Sequence, residues 1–306
     1  MPQPQPSQNG DLSLEGRVAV VTGAGAGLGR AEALALARAG AHVVLNDLPG
    51  AAEEAAEAVR EVGVEALVVP GDVGESDTAA AMLQAATEKL GRLDIVVNNA
   101  GITRDKMLFN MTDEEFDEVL KVHLRGHFLL SRNAASYWRG RFKETGETVD
   151  AAVVNTASEA FLTGSPGQAN YAAAKAGIAA LTLATARGLS RIGVRANAIC
   201  PRARTAMTAE VFGADESGAS IDPYSPEHVA PLVAYLASPA AARITGQVFV
   251  VYGGMVALLA APVVEQRFDA TGDTWDLADL DSNLGSYFAD RDPAVGFAAD
   301  SVMDLG

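Results

Sequence analysis

The chain reads VAVVTGAGAGLGRAEALALARAG over residues 18–40. An apolar run ends at Thr22, glycines follow at positions 23, 25, 27 and 29, and helix-forming residues begin near Leu28. This order predicts a β-strand, a tight turn and an α-helix. Glycines at such a turn let the backbone approach a pyrophosphate, which the free N–H groups and the dipole of the helix N-terminus would hold. The spacing of Gly23, Gly27 and Gly29 is GxxxGxG and not GxGxxG.

Apolar runs alternate with segments of helical period along most of the chain. The apolar runs are continuous, as expected for strands that are covered on both faces. We therefore expect a doubly wound α/β domain of Rossmann type over residues 12–254, with a mainly parallel seven-stranded sheet. Strands are predicted at 17–22, 42–46, 65–69, 93–98, 151–156, 194–199 and 247–251, and helices at 28–39, 51–62, 76–90, 112–136, 168–190 and 226–237.

Local signals mark the ends of these elements. Ser76 and Thr112 are predicted N-caps, and Gly40 and Gly63 are predicted to end helices. Residues 140–150 and 213–226 are expected to be loops, the second in the place of an active-site lid. Residues 1–11 are polar and proline-rich and are expected to form a disordered arm. Residues 255–306 are expected to form an acidic C-terminal extension, either draped over the domain or mostly irregular.

Composition excludes several classes of function. The 306 residues are 49% hydrophobic and 20% charged, an ordinary globular balance. The net charge of −16 argues against nucleic-acid binding, which needs a clustered basic surface. Cys200 is the only cysteine, so it is expected to be a buried small hydrophobe in a reducing compartment. There is no secretory signal pattern and no window of eighteen uncharged apolar residues, so we expect a cytoplasmic protein that does not enter a membrane.

Polar residues follow three of the predicted strands. Asp47 ends the second strand, 18 residues beyond Gly29, where a carboxylate can bind both ribose hydroxyls of adenosine and repel a 2′-phosphate. NAD is therefore expected rather than NADP. Asp72, followed by Val73, could accept from the adenine amino group, and the run 98-NNAG-101 places Asn99, Ala100 and Gly101 beside the cofactor. Each of these could also be ordinary turn chemistry.

Tyr171 and Lys175 are four residues apart in an alanine-rich helix, so their side chains lie on one face. Alone, they could be a solvated surface pair. Together with TGAGAGLG, GDV, NNAG and Ser158, thirteen residues before Tyr171, they make residues 12–254 resemble the short-chain dehydrogenase/reductase family. The resemblance implies that Tyr171 is the acid/base, that Lys175 lowers its pKa and holds the nicotinamide ribose, and that Ser158 binds the substrate oxygen. No metal ion is implied.

Two positions depart from the family pattern. His123 stands where the family usually has an asparagine in the helix after the fourth strand, and it could donate a hydrogen bond or simply pack. The usual Pro-Gly after the sixth strand is Pro201-Arg202, although Pro201 and Thr205 match positions that meet the nicotinamide. Arg202 and Arg204 could bind an anionic substrate such as an acyl-CoA, or could be solvated surface charges.

The motifs VHLRGHF and GQANYAAAKAG are similar to a branch that includes (3R)-hydroxyacyl-CoA dehydrogenases, 3-oxoacyl reductases and hydroxysteroid dehydrogenases. The resemblance implies an NAD-dependent enzyme that interconverts a secondary alcohol and a ketone, with a 3-hydroxyacyl thioester as first expectation and a hydroxysteroid as second. A catalytically silent NAD-binding sensor or scaffold is the alternative of a different class. The helix at 168–190 is apolar nearly all round, which with the helix at 112–136 predicts a homodimer or homotetramer.

Overall fold

One mixed sheet of eight strands organises the computed structural model, which describes residues 11–208, 221–293 and 296–305. The strands are Val18–Thr22 (β1), His42–Asp47 (β2), Ala66–Pro70 (β3), Ile95–Asn98 (β4), Ala151–Thr156 (β5), Val194–Pro201 (β6), Val248–Tyr252 (β7) and Met255–Leu258 (β8). Their order across the sheet is β3-β2-β1-β4-β5-β6-β7-β8. Neighbours from β3 to β7 are parallel, and β8 runs antiparallel to β7. The doubly wound α/β prediction is thus confirmed.

The helices alternate with the strands. They are Gly27–Arg38 (α1), Glu53–Glu61 (α2), Ser76–Gln84 (α3), Asp113–Leu120 (α4), Gly126–Thr145 (α5), Ala160–Thr163 (α6), Ala169–Leu189 (α7), Ala230–Ala237 (α8), Leu277–Leu280 (α9) and Ser286–Phe288 (α10). A π-helical segment, Lys121–Arg125, separates α4 from α5. Thr112 caps α4 through a full capping box, as predicted, whereas Ser76 is the first helical residue rather than the cap.

Both faces of the sheet are buried, which explains why the strands are apolar without alternation. In β1, Ala19 and Val21 belong to the core beneath α1, α2 and α8, while Val18 and Val20 belong to the core beneath α3, α5 and α7. The sheet is therefore the middle layer of three. Cys200 in β6 is completely buried, in agreement with its expected role as a small core residue.

Three boundaries differ from prediction or fall outside the described residues. The predicted sheet lacked β8, whose four residues follow the expected domain end at 254 and shield the edge of β7. Helix α5 continues to Thr145 and so includes half of the loop expected at 140–150, because Gly146, at φ 74°, terminates the helix later. Residues 1–10 of the arm predicted at 1–11, and most of the loop at 213–226, lie outside the described residues.

The described residues divide into two units between Leu258 and Leu259. The second unit contains α9 and α10 and little buried surface. Within it, Glu265 accepts hydrogen bonds from Arg291 and Tyr287. Among the helices that the structure describes, none has both the length and the apolar character needed to span a bilayer.

Parallel strands bring their carboxyl ends to one edge of the sheet. Such ends hold or directly precede the glycine turn, Asp47, the NNAG run, Ser158 and Pro201. The chain reverses its winding between β1 and β4, where doubly wound sheets open a crevice for ligands.

Candidate active site

The turn between β1 and α1 has room only for glycine at two positions. A β-carbon on Gly25 would lie 2.2 Å from the carbonyl oxygen of Ala51, and one on Gly29 would lie 2.1 Å from that of Gly23. Helix α1 has no side-chain cap, so its first N–H groups are not satisfied by a side chain of the turn. A bare, close-packed turn at a helix N-terminus fits the pyrophosphate of a dinucleotide.

Asp47 links the end of β2 to this turn. Its Oδ2 accepts a hydrogen bond from the Gly25 N–H at 2.8 Å, and its Oδ1 accepts one from the Leu48 N–H at 2.8 Å. A carboxylate has about four acceptor sites, so both oxygens keep capacity for ribose hydroxyls. Arg30, in the first turn of α1, faces Glu54 at 3.9 Å.

Asp72 lies at the next strand end. Its carboxylate accepts hydrogen bonds from Lys121 Nζ and from the Gly74 N–H, both at 2.8 Å. Burial alone would raise the pKa of Asp72, but these two hydrogen bonds outweigh it and hold the pKa below its ordinary value. Asp72 is therefore a charged acceptor in the crevice.

The NNAG run is fixed by side chains that the sequence analysis did not assign. Thr22 Oγ1 accepts from the N–H of Asn99, and the Asn99 amide donates to the Thr22 carbonyl at 3.0 Å. The buried Asn98 amide donates to Asn155 at 2.8 Å. These contacts lock the end of β4 to β1 and β5. Thr22 could have been recognised from the sequence, because it places a hydroxyl group at the last position of a strand.

Tyr171 and Lys175 occupy the first two turns of α7. Lys175 is 2% exposed; its ammonium donates to the Thr156 carbonyl at 2.6 Å and lies 5.3 Å from the centre of the Tyr171 ring. Burial lowers the pKa of Lys175 to about 7. Burial also raises the pKa of Tyr171 to about 12, against the effect of a hydrogen bond with Ser158. The protein alone thus keeps the phenol protonated, and the expected lowering of its pKa by Lys175 is not seen.

His123 packs directly on the tyrosine. The two rings meet edge to face with centroids 5.2 Å apart, and His123 Nε2 lies 2.7 Å from the Ile102 carbonyl oxygen. Burial and the nearby Lys175 charge place the pKa of His123 well below its ordinary value, so the ring is neutral. The π-helical segment Lys121–Arg125, a feature often found at functional sites, carries this residue. His123 therefore packs against the Tyr171 ring and also forms a hydrogen bond with the backbone of Ile102.

Arg202 and Arg204 are not solvated surface charges, because both are held in ion pairs. Arg202 forms a two-point ion pair with Glu159, and Arg204 pairs with Asp222. All four side chains are mostly buried, between 10% and 19% exposed. Local sequence could not reveal this, because Arg202 and Glu159 are 43 residues apart.

A cleft of about 520 Å³ joins these parts. It is bordered by fourteen of the residues that the sequence selected: Gly23, Gly27, Leu28, Asp47, Asp72, Val73, Asn99, Ala100, Gly101, His123, Tyr171, Lys175, Pro201 and Thr205. Of the other two, Gly29 packs on Gly23 and Ser158 bonds to Tyr171. The cleft also includes Arg104, Glu118 and Met207, which no sequence signal marked. In the described ranges, no group of three or more His, Cys, Asp or Glu side chains is arranged for a metal ion.

Comparison with known proteins gives related oxidoreductases. A family model described as enoyl-(acyl carrier protein) reductase matches residues 23–256. The chain is 58% identical to hydroxyacyl-CoA dehydrogenase ChsB1 of Mycobacterium tuberculosis, over 97% of this chain and 96% of that protein. It is 36% identical to the 3-oxoacyl-[acyl-carrier-protein] reductase FabG of Staphylococcus aureus, over 67% of this chain and 82% of the reductase.

A solved structure has the same architecture. The crystal structure of a short chain dehydrogenase from Mycobacterium avium superposes with a TM-score of 0.82 at 42% identity, covering 94% of this chain and 99% of that one. Its match extends over nearly the whole chain, so the similarity is not confined to the cofactor-binding half.

Proposed function

The chain belongs to the short-chain dehydrogenase/reductase family, and on that premise we propose that it interconverts a 3-hydroxyacyl thioester and its 3-oxoacyl form with NAD(H). The choice of substrate rests on the similarity to a hydroxyacyl-CoA dehydrogenase, which extends over almost the full length of both chains. Tyr171 and Lys175 border one cleft, and Ser158 hydrogen-bonds to Tyr171; together they support the reaction type.

The family uses a nicotinamide dinucleotide, which supplies or accepts the hydride. The glycine turn fits its pyrophosphate, and Asp47 would bind the adenosine ribose. We propose NAD rather than NADP because a 2′-phosphate would meet the Asp47 carboxylate, and because Arg30 already faces Glu54.

In the reductive direction, Tyr171 would give its phenolic proton to the substrate oxygen as hydride reaches the carbonyl carbon. Its raised pKa keeps that proton in place at neutral pH. Ser158 would hold the same oxygen as negative charge develops there. Lys175 donates to the Thr156 carbonyl, which fixes the ammonium beside the tyrosine ring. Oxidation of the alcohol is the same sequence reversed.

We also propose a homodimer or homotetramer. On α7, Ala173, Ala176, Ala180 and Leu183 are exposed, whereas the opposite face packs on the sheet. Phe128 on α5 is 42% exposed as well. Small and apolar residues on exposed helix faces suit close packing against a second subunit.

The deciding experiment is steady-state oxidation of NADH and NADPH with acetoacetyl-CoA, beside a Tyr171→Phe control. We expect turnover with NADH that is lost in the control. Turnover with NADPH alone would show that Asp47 was misassigned. Binding of NADH without turnover would remove the thioester from consideration and favour a steroid or another alcohol as substrate.

A further inference from the structure

The residue that follows the catalytic serine is one half of a buried ion pair. Glu159 Oε2 accepts from Arg202 Nε at 2.8 Å, and Glu159 Oε1 accepts from Arg202 Nη2 at 2.8 Å. Both side chains are only 10% exposed. The pair joins the segment after β5 to the end of β6, where Arg202 N–H also donates to the Val251 carbonyl.

Aromatic rings support the arginine. The Arg202 guanidinium lies 4.8 Å from the centre of the Tyr252 ring, and Tyr252 stacks on Tyr224 at 5.7 Å with an interplanar angle of 12°. Arg204 lies 5.7 Å from the other ring, that of Tyr224. A guanidinium that is both forked to a carboxylate and stacked on a ring has little freedom to move.

Movement of Glu159 would be transmitted to the serine through the backbone. Ser158 Oγ accepts a hydrogen bond from the Ala160 N–H at 3.2 Å, and the Ser158 carbonyl accepts one from Phe161. Helix α6, which begins at Ala160, is only four residues long and cannot hold this segment by itself. The side chain of Glu159 is therefore the anchor of the segment on the β6 side.

We propose that Glu159 and Arg202 are positioning residues that fix the Ser158 hydroxyl for the reaction. The inference rests on the proposed function of Ser158. A buried ion pair gives little net stability compared with a well-packed apolar pair, so stability alone does not explain this one. A role in positioning Ser158 explains both the two-point geometry of the ion pair and its place next to the serine.

The test is the double variant Glu159→Gln with Arg202→Met, which removes both charges and keeps the volume. Because no buried charge is left unpaired, we expect a folded protein whose Tm changes by less than about 5 °C. We expect kcat with acetoacetyl-CoA and NADH to fall about 10- to 100-fold, less than or equal to the loss in Ser158→Ala. The KM for NADH should not change.

Epistasis gives the sharper readout. In a Ser158→Ala background the double variant should cause no further loss of kcat, because the pair acts through the hydroxyl that is gone. The control is Arg60→Met with Glu57→Gln, an exposed ion pair on α2; we expect its kcat to stay within about threefold. An undiminished kcat in the Glu159/Arg202 variant, or losses that multiply with Ser158→Ala, would overturn the proposal.

A measurement that needs no turnover separates this inference from the proposed function. Amide hydrogen exchange in the peptide around residues 157–164 should be faster in the double variant than in the parent, with no change in β1 or α1. Unchanged exchange there would refute the anchor. If the parent protein does not reduce acetoacetyl-CoA but the exchange difference is present, the anchoring role of Glu159 stands and the proposed thioester substrate is refuted.

Discussion

Gly101 and His123 fit so closely that a β-carbon on Gly101 would lie 2.3 Å from His123 Cε1. The glycine of the NNAG run thus makes room for a ring that packs on Tyr171. The family's usual asparagine is smaller, so the two positions are coupled in this chain.

We predict that Gly101→Ala displaces His123, destabilises the protein by about 1–3 kcal/mol and lowers kcat. Adding His123→Asn should restore part of the lost stability and part of the lost kcat, since the smaller side chain relieves the overlap. Thermal melts and kcat on the single and double variants measure this. Gly140→Ala, at an open position in α5, is the control and should stabilise slightly. Equal effects of Gly101→Ala with histidine or asparagine at 123 would contradict the coupling.

Asp47→Asn should shift the cofactor preference. The amide oxygen can still accept from the Gly25 N–H, at the loss of the hydrogen bond from the Leu48 N–H, while the charge that would repel a 2′-phosphate is removed. We expect kcat/KM for NADH to fall about 10- to 100-fold, and kcat/KM for NADPH to rise. An unaltered ratio between the two cofactors would exclude Asp47 as the selecting group.

Glu32 is buried in α1, and neither of its carboxylate oxygens has a hydrogen-bond partner in the part of the chain that the structure describes. Burial raises its pKa from 4.5 to about 8. The folded state therefore binds more protons than the unfolded state between these values. The free energy of unfolding therefore has its full value below pH 4.5 and decreases as the pH rises towards 8. At pH 7 the decrease is roughly 3 kcal/mol.

Glu32→Gln should therefore be more stable than the parent at pH 8 and similar to it at pH 5. Denaturant unfolding at the two pH values measures the difference. Glu54→Gln, on the adjacent helix α2 with a 92% exposed side chain, is the control and should match the parent at both. A parallel offset at pH 5 and pH 8 would contradict the titration of Glu32.

Lys175→Met should lower the activity and raise the stability of the protein. Burial lowers the pKa of Lys175 from 10.5 to about 7, so its charge opposes folding fully below pH 7, and the cost is relieved as the pH rises towards 10.5. At pH 7 we expect the variant to be more stable by roughly 4 kcal/mol, yet to lose about 100-fold or more in kcat. Lys143→Met, at an exposed position, should change neither. A destabilised Lys175→Met protein would show that the hydrogen bond to Thr156 outweighs burial.

Ala180→Arg should dissociate the proposed oligomer. The exposed alanine face of α7 allows close approach of another helix, and an arginine there would prevent it. Light scattering at micromolar concentration should show a smaller species than the parent, while Ala80→Arg on exposed α3 should not. A parent that is already monomeric would disprove the assembly.

Much of the fold could be predicted because its signals are local. The continuous apolar runs, the glycine turn and the i, i+4 placement of Tyr171 and Lys175 each need only one segment of sequence. The gathering of the selected residues at one cleft could be predicted for the same reason, since parallel strands must end at one edge of the sheet.

The remaining features depend on distant partners. Nothing near Arg202 in sequence indicates that Glu159 neutralises it, or that Tyr252 stacks on it. The short β8 lacked a pattern of its own and is defined by pairing with β7. The burial that raises the pKa of Tyr171 comes from a surrounding core that is distant in sequence, whereas Lys175 is a sequence neighbour.

The complete burial of Cys200 has a practical consequence for spectroscopy. Thiol reagents meet no accessible native sulfhydryl in this chain, because Cys200 is its only cysteine and burial raises its pKa to about 12. The parent sequence can therefore serve as its own silent background for site-directed labelling. One cysteine introduced at Leu48 beside the cleft, or at Leu183 on α7, would carry a single fluorophore or spin label that reports cofactor binding or subunit contact separately.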